Sequence, residues 1–111
     1  MVGVLLNDME ANDLETHYMK GWSLMKKKGE KNLMMAVIHF KKMLEIQPGM
    51  KKAYSMLADC YHDLNMLEPY LEVYDELLKK GDSLSDDFKK LLKIQKMNML
   101  FKAKHYEDAI G

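Results

Sequence analysis

The chain has 111 residues, 48% of them hydrophobic and 31% charged, which are the proportions of one small globular domain and exclude a disordered segment. Seventeen basic residues balance seventeen acidic ones, and every basic residue is lysine. Neither a net field nor the bidentate arginine fork therefore draws the chain to nucleic acid or an anionic membrane.

Cys60 is the single cysteine, so no internal disulfide can form and a reducing, cytoplasmic setting is expected. The opening MVGVLL is too short for a secretory signal and lacks its basic flank. No apolar run nears the ~20 residues that span a bilayer.

Taken in order, residues 1–13 carry Val2, Val4, Leu5, Leu6 and Met9 before a polar break at Asn12-Asp13. They read as a capping or remnant helix, with Asp13 as N-cap of the next helix. That helix is expected over about 14–28, with Leu14, Tyr18, Gly21, Trp22, Leu24 and Met25 as its non-polar positions. Gly29 ends it behind the Lys26-Lys27-Lys28 run, whose charges suit the helix C-terminus. A second helix, about 32–47, presents Leu33, Ala36, Val37, Phe40, Met43 and Leu44 on one face and stops at Pro48-Gly49.

Residues 51–80 read as two further amphipathic helices around a turn at Asn65-Met66. Tyr54, Leu57, Ala58, Tyr61 and Leu64 share one face of the first. Leu67, Tyr70, Leu71, Tyr74, Leu77 and Leu78 share one face of the second, and Pro69 in its first turn costs no hydrogen bond. After Gly81-Asp82, a helix over about 84–102 is expected, capped by Ser83 or Ser85. FKAKHYEDAIG then reads as a turn and the opening of another helix.

The spacing repeats. Leu33 to Leu67, Ala36 to Tyr70 and Phe40 to Tyr74 are each 34 residues apart, while Gly21 to Ala58 and Leu24 to Tyr61 are each 37. One constant offset on each side of a loop places a three-residue insertion at KKKGEKN. Leu67 to Tyr106, Tyr70 to Ala109 and Tyr61 to Leu100 are each 39 apart, which implies a five-residue insertion further on.

Tyr54-x2-Leu57-Ala58-x2-Tyr61, Gly21-x2-Leu24, Ala36-x3-Phe40 and Pro48 together resemble the tetratricopeptide repeat (TPR). His17 departs from that pattern at the opening aromatic position, and Tyr70 stands where the family has a small residue. The resemblance implies an all-α fold, a TPR-like solenoid of antiparallel helical hairpins stacked into a right-handed superhelix. Repeat 1 would occupy 14–50, repeat 2 would occupy 51–84, and a partial third repeat 85–111.

It also implies a protein–protein interaction module, binding a peptide segment of a partner in a concave groove and doing no chemistry. Carried over by position, the groove would hold Glu15, Tyr18, Met19, Trp22, Met25 and Lys26 from the first repeat. Lys52, Ser55, Met56, Asp59, His62 and Asp63 would come from the second, and Asn98, Phe101 and Lys102 from the third. An exposed Trp22 beside Tyr18 and Met56 would anchor an apolar side chain. The other reading of Trp22 is burial beneath MVGVLL.

The TPR subclass that clamps the carboxylate tail of heat-shock chaperones uses Lys, Asn and Arg where this chain has Tyr18, Trp22 and Met56, so an apolar or mixed peptide is expected instead. The rival is a structural element that self-associates through its terminal helices, or belongs to a longer array. An accessory role within a larger enzyme or a secretion machine is a third reading.

No cofactor or metal is expected. His17, His39, His62 and His105 lie on different helices, and Cys60-x-His62 points its side chains to different faces. Cys60 beside Asp59 and Asp63 would be a poor nucleophile. Twelve methionines suit gap filling and adaptable surfaces alike.

Overall fold

A computed structural model describes the backbone of residues 2–110 and the side chains of 13–81 and 83–105. The described backbone is helical, with no strand. Five helices follow in order: α1 (Val2–Lys27), α2 (Glu30–Ile46), α3 (Lys51–Asp63), α4 (Leu67–Leu78) and α5 (Asp86–Ile110). Short connections reverse the chain each time, so every helix packs against the one that follows it. The result is elongated, 62 × 34 × 20 Å.

The turns follow from local chemistry. Lys28 and Gly29 both take positive φ (59° and 90°) between α1 and α2, and Asn32 Nδ2 donates to the Lys28 carbonyl at 2.9 Å. Asn65 takes φ 57° after α3, and Met66 N donates back to the Tyr61 carbonyl at 2.9 Å, closing the helix end with a left-handed residue. A 3-10 turn, Gly81–Ser83, leads into α5, whose N-cap is Ser85: its Oγ accepts from Phe88 N at 3.2 Å. Lys51 Nζ ties this turn to the start of α3 by donating to the Ser83 carbonyl at 2.9 Å.

The core runs through all five helices. Leu33, Ala36, Val37, Phe40 and Met43 of α2 are buried, and so are Ala53, Leu57, Ala58, Cys60 and Tyr61 of α3. Tyr70, Val73, Tyr74 and Leu77 bury the inner face of α4. Each such aliphatic or aromatic side chain contributes about 1.5–3 kcal/mol by leaving water. Gly21 is where α1 meets α2: a Cβ there would lie 2.7 Å from Phe40 Cε1 and 2.8 Å from Cζ. The absent side chain lets the ring of Phe40 lie against the α1 backbone.

Two expected boundaries do not exist. α1 runs unbroken through Asn12 and Asp13, so Asp13 caps nothing. Asn and Asp are only mediocre helix formers, and without Pro or Gly beside them they do not end a helix. α5 likewise continues through 102–106, where a turn was expected, because FKAKHYEDA contains no breaker. The 39-residue offset fails with it. Leu100, its counterpart to Tyr61, is 42% exposed, whereas Leu92 and Gln95 are buried 34 residues after Ala58 and Tyr61. The side chains of Tyr106 and Ala109, also placed by that offset, lie outside the described residues.

Leu44, Tyr54, Leu64, Leu67 and Leu71 are half-buried at the edges of their stripes, and Leu78 is exposed.

Candidate interaction surface

Contacts along one side of the molecule connect α1, α3 and α5. Tyr18 of α1 is half-buried on the core, and Lys52 Nζ of α3 lies 4.6 Å from its ring centroid. One turn on, Trp22 is 44% exposed, with Lys26 Nζ 4.0 Å from its ring. Burial beneath the N-terminal segment is therefore not the state of Trp22. Between α3 and α5, Gln95 Nε2 donates to Asp59 Oδ1 at 3.3 Å.

The candidate residues divide. Tyr18, Trp22 and Lys52 come together on the α1–α3 side, and Asp59 faces α5. Met25 and Met56 are half-buried and pack on the core, so their thioethers fill gaps as much as they line a surface. Met19 is exposed but lines a shallow depression between α1 and α2 with Ser23, Leu24, Met35 and His39. It therefore does not face α3. Asp63 is exposed at the end of α3, 3.3 Å from His62 Nδ1, and Asn98 is exposed on α5.

Asp59 is the electrostatically unusual member. Burial raises its carboxyl above the ordinary range, opposed by the Gln95 hydrogen bond and reinforced by Asp63. Gln95 in turn meets Tyr70: the Tyr70 hydroxyl lies 2.9 Å from Gln95 Oε1 and 3.1 Å from the Leu92 carbonyl. One phenolic proton thus faces two acceptors, and α3, α4 and α5 are joined by a polar chain inside an apolar core. The Tyr70 ring reaches across the core and its hydroxyl ends on α5. Burial, then Asp59 and Asp63, push the Cys60 thiol to about 12, so it is protonated at neutral pH.

Two features escaped the sequence. His17 and His39, on different helices as expected, meet across α1 and α2 with their Nδ1 atoms 3.0 Å apart and their rings tilted at 35°. At that distance one Nδ1–H donates to the other's lone pair. Burial, with the charges of His17, Lys20 and Lys42, holds His39 below the usual imidazole range. The second is a groove of about 640 Å³ between α2 and α4, floored by Leu57 and Tyr61 and edged by Met34, Lys41, Glu72 and Glu76. Its sequence signal was Met34 and Val73, apolar residues outside the stripes assigned to these helices. No cluster of three or more His, Cys, Asp or Glu side chains is placed to hold a metal among the described residues, and none of the described helices is long and apolar enough to cross a membrane.

No family model, curated protein or solved structure significantly matches this chain.

Proposed function

We propose that this chain is a protein-interaction module of the tetratricopeptide type, a cytoplasmic scaffold that receives a peptide segment of a partner on the side built from α1, α3 and α5. The observation that carries it is Trp22, exposed next to the Tyr18–Lys52 contact that joins two helices. A large ring held on a helix gives a partner much contact area at little ordering cost. The helix-on-next-helix packing and the small residues at the contacts support the repeat reading: Gly21 under Phe40, with Ala36 and Ala58 almost fully buried. The surface mixes Tyr18, Trp22, Lys52 and Asp59, so it suits a peptide with an apolar anchor and few charges, and no bond is made or broken on it.

Trp22 is the only tryptophan, which makes it its own reporter. A peptide selected from a displayed library against the intact chain should shift the Trp22 emission on binding. Trp22→Ala should then weaken that peptide by about 2 kcal/mol or more, roughly thirty-fold, with the melting temperature nearly unchanged. Peptides that bind without sensing Trp22, or a large stability loss in the variant, would reject this surface.

The rival is a structural element that associates with copies of itself through its terminal helices. The apolar outer face of α5 favours it.

A further inference from the structure

α5 carries two apolar stripes. Leu92, Gln95 and Met99 are buried toward the rest of the molecule, with Gln95 meeting α3 and α4. Ile94, Met97 and Phe101 lie on the far side: at 100° per residue they cluster within about 60° of one another and roughly opposite the first stripe. They are 55%, 68% and 71% exposed. A lone exposed apolar residue needs no explanation, but three on successive turns of one face mark a contact surface.

Charge limits what can cover it. Residues 88–105 contain six lysines and no Asp or Glu. Lys90, Lys93 and Lys104 lie on the same outer half of the helix, so two copies of this face cannot meet without bringing like charges together. The occupant has to be apolar and acidic. This chain contains such a segment. Residues 2–16 form the first half of α1 and combine Val2, Val4, Leu5, Leu6 and Met9 with Asp8, Glu10, Asp13 and Glu15, without one basic residue. α1 also has 26 residues against 17 in α2, so it outreaches the helix that covers it.

We propose that the outer face of α5 binds the acidic first half of α1 from a second copy, so that copies associate head to tail. The two surfaces are unlike, so the contact leaves a free α1 and a free α5 at the ends and growth beyond a dimer is open. Neither surface includes Tyr18 or Trp22, and the inference stands or falls separately from peptide binding.

Sedimentation velocity of the whole chain tests it. At low salt the mass should rise with concentration above the 13.0 kDa of one copy. Raising salt from about 50 mM to about 500 mM should reverse this, since exposed charges are then screened over a few ångströms. Lys90→Glu/Lys93→Glu and Asp13→Lys/Glu15→Lys alter only exposed positions and should each be folded, by circular dichroism, and monomeric. Mixing them pairs the intact α1 of one variant with the intact α5 of the other, so the mixture should associate where neither variant does alone. A wild-type chain that stays monomeric at low salt overturns the proposal. So does association that salt strengthens, or a mixture that remains monomeric. Binding of a monomeric chain to phosphatidylserine vesicles, lost in Phe101→Asp, would give the face to a membrane and also overturn it.

Discussion

Phe40 has no exposed surface, and its ring lies where a side chain on Gly21 would be. Alanine would gain up to about 1 kcal/mol in helix propensity at that position. It would also force a buried ring aside at 2.7 Å, and overpacking of that kind costs about 1–3 kcal/mol. Gly21→Ala should therefore lower stability in chemical denaturation despite its better propensity; a stabilised variant would mean that α1 can slide on α2. Tyr70 teaches the converse. A ring at a position where the resembled family has a small side chain is tolerated because its hydroxyl finds Gln95 and the Leu92 carbonyl, so its buried oxygen is not left without a partner.

At the scale of elements, α1 and α2 are joined by Gly21 on Phe40 and by the histidine pair. The groups facing His39 are His17 and Lys20 on α1 and Lys42 on its own helix, all unfavourable to a second positive charge. Its folded pKa lies below the unfolded value of about 6.5, so the unfolded chain takes the proton more readily. The stability from the neutral pair is complete above that value and is lost as pH falls through it. Melting temperatures followed from about pH 7.5 down to about pH 5 should decline less steeply in His39→Gln than in the wild type. Parallel curves would show that acid instability comes from elsewhere.

The molecule as a whole is a succession of neighbours, with each helix covered mainly by the next. In such a chain, damage at one interface stays local. Gln95 joins α5 to both α3 and α4, and Gln95→Ala leaves the Tyr70 hydroxyl with only the Leu92 carbonyl and takes the Gln95 donor from the half-buried Asp59 carboxyl, at a cost of about 1–3 kcal/mol. Amide exchange should quicken over residues 88–99 while the α2 amides keep their protection. Equal acceleration everywhere would show one cooperative unit instead.

Much of this was legible in the residues. The apolar stripes of α2, α3 and α4 appear at helical spacing because only one face of each meets the core, and Asn65 and Gly29 mark ends where left-handed backbone is needed. The exposure of Trp22 was one of the two states expected for it. The continuity of α1 and α5 was missed, because polar residues such as Asn12 and Asp13 suggest a cap without forcing a break. Repeat arithmetic put the last helix in the wrong register for a related reason: an offset aligns letters, and Leu100 matches as well as Gln95 until packing shows which is buried.

The sequence by itself determined the helices between residues 30 and 78, the turns around them and the charge balance, since these follow from composition and from neighbours within a few residues. Only the tertiary structure decided that His17 meets His39, that Met19 turns toward α2, that Tyr70 ends on α5, and that α5 keeps an uncovered apolar face. Those contacts join residues up to tens of positions apart, and their geometry depends on how rigid helices settle against one another.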